Sequence, residues 1–281
     1  MRRVINIFHP QWNLQAFNEV IQLMIKYRYL IFEMTKREIS DQYAGQILGV
    51  YWAICHPLFM MGLFVFIFNF VFRARIGGSL DMPLDYTAYI LSGLVPWLGF
   101  QQVMSRSSTS FTNDANLVKQ VVFPLMVLPA KTVFGGMISQ IVSLIALTTY
   151  VLVTNGKLHI TYLLLPFLFL IQVFAMLGVA FLLGTVGTYI KDIKDFVTVI
   201  SSWGVYLAPI VYLPAWVPEI VRPVLYLNPL SYMIWCYQDI LYFGRIEHPA
   251  SWVVFISSSI FIFIVGYRLF RRLSPNLAEV V

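Results

Sequence analysis

Residues able to do chemistry are few in this chain and poorly placed for it. Its four histidines, His9, His56, His159 and His248, are scattered, with no H-E-x-x-H pair and no Cys/His cluster at metal-ligand spacing. No pair of carboxylates falls inside an apolar run, where a proton-coupled carrier or a membrane hydrolase needs one. Asp192 and Asp195 are the candidates for an acidic cluster, and beside Lys191 and Lys194 they read as a solvated loop. The chain has no G-x-x-x-x-G-K-[ST] loop to cradle nucleotide phosphates. Leu91-Ser92-Gly93 resembles an ATPase signature only superficially, because it lies within an apolar stretch.

The polar groups that do sit in apolar runs are His56, Asn69, Gln140 and Gln172, with Lys131 near the end of one. Such groups are costly in lipid and are often functional, but isolated amides more commonly bond helix to helix. His56-Pro57 reads as a helix kink rather than a base. Phe64, Phe66, Phe68, Phe70 and Phe72 alternate; on a helix 64, 68 and 72 share one side, and 66 and 70 lie nearly opposite. Aromatic faces suit the apolar face of a sugar ring, though phenylalanine is also ordinary filler of membrane helices.

The elements that carry these residues belong to a membrane protein. The 281 residues are 59% hydrophobic and 11% charged, with a mean hydropathy of +0.76. A soluble domain carries about 25% charge. The start of the chain lacks the apolar core and small-residue cleavage site of a signal peptide, so internal segments must drive insertion. Cys55 and Cys236 are far apart and read as isolated small hydrophobes.

A spanning helix needs about 20 mostly apolar residues. Six runs qualify, at roughly 51–72, 86–104, 129–153, 161–188, 196–213 and 252–270. Of the 19 Lys and Arg, 14 lie in 1–50, in the connections after the second and fourth runs, and in the tail. Arg73, Arg75, Lys157, Arg222 and Arg245 lie on the other side. The positive-inside rule then places both termini in the cytoplasm and explains the net charge of +6 without nucleic acid.

Three further segments stand out. Residues 12–36 carry Leu14, Phe17, Ile21, Met24, Ile25 and Phe32 on one helical face, with Asn18, Glu19, Gln22 and Lys26 on the other. That helix either lies on the inner leaflet or packs against the spans. Residues 105–126 form a compact cytoplasmic loop, with capping groups at 107–110, a helix of two or three turns at most, and breaks at Pro124 and Pro129. Residues 214–251, rich in Pro, Trp and Tyr, read as outer re-entrant or interfacial half-helices.

Several stretches together resemble the permease subunit of ABC-type exporters of lipid-linked polysaccharides and polyol phosphates, the O-antigen, capsule and teichoic-acid group. They are Arg37-Glu38-Ile39 with Tyr43, Leu48-Gly49, Trp52 and Pro57; Gly93-Leu94-Val95-Pro96-Trp97; Asn116-Leu117-Val118-Lys119 with Phe123-Pro124; Pro209-Ile210-Val211-Tyr212; Asn228-Pro229; and the tail from Leu273 to Val280. Their order along nearly the whole chain carries the resemblance. Lys191-Asp192-Ile193 departs from the Arg-Asp-Ile common in relatives, so a fork-like guanidinium contact is absent there.

The resemblance implies an all-α integral membrane fold in three parts: a cytoplasmic region 1–50, a six-helix domain 51–271 and a tail 272–281. It implies a homodimer in the bacterial inner membrane, with two separate ATPase subunits that bind the ATP and Mg. The chain itself would hold no cofactor and catalyse nothing. Phe111, Thr112, Asn113, Asn116, Leu117, Val118 and Lys119 would couple to the ATPase. Lys26, Arg28, Lys36 and Arg37 would attract a lipid headgroup at the entrance. Phe59, Phe64, Phe68, Phe72, Trp203 and Tyr206 would line the channel, and Trp216, Tyr226, Tyr232 and Trp235 would form an outer gate. The implied cargo is undecaprenyl-linked polysaccharide, O-antigen first, then capsule or teichoic acid. The rivals are an exporter of small amphiphiles or drugs and a membrane-embedded glycan-lipid transferase.

Overall fold

The computed structural model describes residues 10–68, 83–119 and 123–281, and among these the chain is helical with no strand. The N-terminal amphipathic stretch forms α1 (Pro10–Lys26) and α2 (Arg28–Gln42), which bend at Tyr27. Helical hydrogen bonds continue across the bend, from Tyr27 N to Leu23 O and from Ile31 N to Tyr27 O, both 2.9 Å. These helices pack on the rest of the bundle: Phe17 meets Phe174 at 5.0 Å and Phe263 at 6.0 Å, and α2 lies along α7 (Val127–Asn155).

A 3-10 turn at Gly49–Tyr51 leads into α3 (Trp52–Phe66), which contains Pro57. The expected continuation through Asn69, Phe70 and Phe72, with Arg73 and Arg75, lies outside the described residues. Then come α4 (Tyr86–Ser107) and two single-turn helices, α5 (Ser110–Asn113) and α6 (Ala115–Val118), before α7. Beyond α7 lie α8 (Leu165–Tyr189), α9 (Ile193–Leu207), α10 (Arg222–Leu227) and α11 (Pro229–Gln238). A π-helical turn, Asp239–Phe243, precedes α12 (Pro249–Leu273), and the tail ends in α13 (Leu277–Val280).

Four helices among the described residues are long and apolar enough to cross a membrane: Gly49–Phe66, Val127–Asn155, Ile160–Tyr189 and Pro249–Asn276. The second and fifth expected spans differ from these for separate reasons. With 22 residues, α4 is about 33 Å long, comparable to the hydrocarbon thickness of a bilayer. Its surface, however, is almost wholly covered by α7, α8, α9 and α11. A helix coated by protein needs no lipid-soluble exterior, and α4 accordingly carries Tyr, Ser, Gln and Arg. The 15 residues of α9 make about 22 Å, and the chain leaves the helix at Ala208 in extended conformation. The carbonyls of this non-helical exit are met by side chains. Tyr86 Oη donates to Val211 O at 2.6 Å, Tyr89 Oη to Tyr212 O at 3.2 Å, and Gln238 Nε2 to Pro209 O at 2.8 Å. Irregular backbone buried in protein in this way is compatible with an apolar surround.

Polar glue and small residues hold the helices together. Gln140 of α7, Gln172 of α8 and Tyr237 of α11 are fully buried and mutually bonded. The two amides pair reciprocally at 2.8 and 2.9 Å, Gln140 Nε2 reaches Tyr237 Oη at 3.0 Å, and Tyr237 Oη donates to Gln172 Oε1. Both isolated glutamines thus bond helix to helix, the commoner role for such residues. The most extensive packing is between α8 and α12, whose backbones touch at Gly178 and Gly266: a Cβ on Gly266 would collide with the Gly178 carbonyl.

Gly266→Ala should therefore cost about 1–3 kcal/mol of folding stability through overpacking. Gly62→Ala in α3, where a Cβ meets nothing within 4 Å, should be neutral or slightly stabilising. Thermal unfolding of the two purified variants checks the difference, and equal midpoints would remove the crossing from its structural role.

Candidate functional site

At the end of the bundle that holds α5 and α6, four charged side chains form one lattice. Lys131, in the second turn of α7, has a side chain only 7% exposed. Its Nζ lies 2.8 Å from Glu38 Oε2 and 2.6 Å from Asp114 Oδ2. The other oxygen of Glu38 is 3.5 Å from Arg106 Nη1. Two cations and two anions thus tie α2, α4, α7 and the α5–α6 junction together. Asp114 precedes α6 as its N-cap but makes no capping bond; its carboxylate goes to Lys131 instead. Beside the lattice, burial pushes the Tyr43 phenol above its usual range and the Arg106 charge opposes that rise.

The sequence marked Lys131 as an unusual cation and Glu38 as part of a motif, but nothing pointed to Asp114. The one available signal is that a cation at the start of an apolar span requires a partner.

The 108–119 loop has two faces. Phe111 is fully buried and stacks on Phe270 with centroids 5.8 Å apart and planes within 5°. Val118 is buried as well, and α13 packs against α6 through the tail, with Leu277 buried. Thr112, Asn113, Asn116 and Lys119 are exposed, and Leu117 is half-buried. Of the seven residues expected to couple, two therefore anchor the loop from behind, and four present a polar tip.

A cavity of about 480 Å³ opens between α3, α4 and α9, with the end of α2 at its edge. Gln101, Gln102 and Arg106 of α4 and His56 of α3 make its polar side; Met60, Phe64, Leu98 and Tyr206 make its apolar side. Of the expected channel aromatics, Phe64 and Tyr206 line it. Phe68 stacks on Phe64 at 6.2 Å and meets Tyr86 edge-on at the same distance. Phe59 and Trp203 instead sit on the outer surface, 68% and 64% exposed, and Phe72 lies outside the described residues.

The four expected entrance cations are exposed, and two of them, Arg28 and Lys36, border one concavity. Arg37 pairs with Asp41 across one helical turn at 3.2 Å, Lys26 lies over Tyr27, and Arg28 lies over Tyr29. Exposed pairs of this kind contribute little to stability. At the opposite end of the bundle Tyr226 and Tyr232 each meet Trp235 at 5.4 Å, whereas Trp216 sits apart against Tyr86 at 5.9 Å. Trp235 stacks on His248, which is held by Asp239, a buried carboxylate that also accepts from Trp252 Nε1 at 3.0 Å. The sequence did not single out Asp239 because it lies outside the long apolar runs.

A family model described as ABC-2 type transporter matches residues 29–242. The chain is also similar to O-antigen export system permease proteins RfbA. Two from Klebsiella pneumoniae are 24% and 25% identical over 253 residues, 90% of this chain and 95% of each relative. One from Myxococcus xanthus is 22% identical over 262 residues, 92% of this chain and 98% of that protein. The match covers α2 to α11 and takes in the charge lattice, the polar-tipped loop and the cavity. Membership implies an ATP-binding partner. With its four apolar helices, this multi-pass membrane protein belongs to the ABC-2 type transporter family.

Proposed function

We propose that this chain is the membrane subunit of an ATP-driven exporter of lipid-linked polysaccharide, O-antigen first among the cargoes. In this reading two copies pair, and two separate ATPase subunits bind ATP and Mg. The chain crosses the inner membrane six times with both termini in the cytoplasm. The four apolar helices, Gly49–Phe66, Val127–Asn155, Ile160–Tyr189 and Pro249–Asn276, supply four of these spans; α4 is a fifth, sheathed by protein, and α9 with its non-helical exit is the sixth, a broken one. Residues 214–251 dip back into the membrane from the outer side. The similarity to O-antigen export system permease proteins supports the cargo class.

One observation carries the mechanism: the polar-tipped loop is joined through Lys131 to α2 and α4, two of the helices that border the cavity. ATP binding closes the partner ATPases and pushes on Thr112, Asn113, Asn116 and Lys119. Asp114 passes that displacement to Lys131, Glu38 and Arg106, and hence to α7, α2 and α4. Because Arg106 also lines the cavity, movement of the lattice changes the cavity wall. The aromatic side of the cavity, Phe64 and Tyr206, suits sugar faces, and its amides and guanidinium suit hydroxyl and phosphate groups.

Deleting the gene should leave lipid-linked glycan accumulated and unexported in the cytoplasm. Export of a small amphiphile failing instead, with glycan export intact, would assign the cargo differently. Asn116→Ala combined with Lys119→Glu should reduce surface glycan at least about tenfold, an effect of about 1.4 kcal/mol or more on the coupling step. Membrane insertion and ATP hydrolysis by the partner should persist. Normal export would take the loop out of the force path. Lys131→Met leaves two carboxylates facing each other and should destabilise the fold by about 3–5 kcal/mol. Adding Glu38→Gln and Asp114→Asn should restore folding, measured by thermal unfolding, without restoring export. Full export by that triple variant would make the lattice structural only.

A further inference from the structure

A second concavity, sharing no lining residue with the first, runs between α2 and α7. It has a volume of about 710 Å³. Ile31 is buried at its base; Ile25 and Phe32 on one side and Ile138 and Ile141 on the other are exposed, Phe32 to 65%. Arg28 and Lys36 border it from α2, at positions 28, 32 and 36 of one helical face. They are about 12 Å apart along the helix. Among the described residues neither cation has a carboxylate partner; Arg28 touches only the Tyr29 ring and hydroxyl. The groove is preformed, because the Glu38–Lys131 pair fixes α2 on α7 just beyond it.

We propose that this groove is a binding site for an anionic glycerophospholipid of the surrounding bilayer. Its acyl chain lies along Phe32, Ile138 and Ile141, and its phosphate is held by Arg28 and Lys36. Charge complementarity selects the occupant. An uncharged chain or an apolar protein segment would leave two cations at the edge of an apolar surface without a counter-ion, whereas an anionic phospholipid satisfies both parts. Seated there, the lipid fills the space under α2 and holds Glu38 against Lys131. The site is separate from the cavity assigned to the cargo and stands whether or not that assignment does.

The test is native mass spectrometry of the full chain, extracted in mild detergent and exposed to mixed vesicles of phosphatidylglycerol and phosphatidylethanolamine. Phosphatidylglycerol should be retained in preference. Retention should fall at least about tenfold in the Arg28→Gln, Lys36→Gln double variant, whose side chains are exposed and whose fold should persist. Ile138→Trp, which fills the groove and leaves both cations, should also abolish retention. Equal retention of the two lipids, or no change in either variant, would overturn the proposal. So would a retained polyisoprenyl pyrophosphate, which would give the groove to the cargo. A second copy cross-linked through Phe32→Cys would overturn it too, by showing that protein covers the groove.

Discussion

The arrangement at the loop end of this protein depends on one buried cation. Lys131 stands where an apolar helix begins, and its ammonium is nearly withdrawn from solvent. It is tolerable there only because Glu38 and Asp114 come to it from two other parts of the chain. Such lattices add little net stability over a well-packed apolar core, since desolvation offsets the Coulomb gain. What they impose is geometry. The position of α2, the seating of the α5–α6 loop and the register of α7 against α4 are all conditions for keeping that charge paired.

Elsewhere lipid changes the rules of assembly. Between helices of equal apolarity the hydrophobic effect supplies no drive, so association rests on close backbone contact and on hydrogen bonds. The crossing at Gly178 and Gly266 gives the first, and the Gln140–Gln172–Tyr237 cluster the second. The amide cluster lies against α4, where Gln172 Nε2 is 3.5 Å from the Pro96 carbonyl, and α7, α8, α9 and α11 cover that helix, which can then afford tyrosines, glutamines and an arginine. In turn Tyr86 and Tyr89 satisfy the carbonyls of the irregular segment after α9. A polar helix at the centre is therefore what permits a broken helix beside it.

The same central helix joins two regions. Arg106 takes part in the charge lattice and also lines the cavity, with Gln101 and Gln102 a turn earlier. The loop is braced from behind by Phe111 on Phe270 and by the tail at Leu277, so its polar tip is presented on a stiff base. The base of the loop is joined to α4 through Asp114, Lys131, Glu38 and Arg106 in turn.

Composition alone determined that this is a membrane protein, because 11% charge cannot cover a soluble surface of this size. The apolar runs also located α3, α4, α7, α8, α9 and α12 among the described residues, although the first run ends outside them and α9 stops at Leu207, short of its expected end, and the motif order identified the family. The tertiary structure decided which way each helix faces. Phe59 and Phe64 are both apolar residues of α3, yet one is on the surface and the other in the cavity. Lipid and protein interior are both apolar solvents, so hydropathy along the chain cannot distinguish a residue facing one from a residue facing the other. The pairings of Lys131 with Glu38 and Asp114, and of Asp239 with His248 and Trp252, were hidden for a related reason. The first depends on α2, α4 and α7 packing together, elements distant in sequence, and the second on the turn at Gly244, whose positive φ brings the chain back so that His248 and Trp252 reach Asp239.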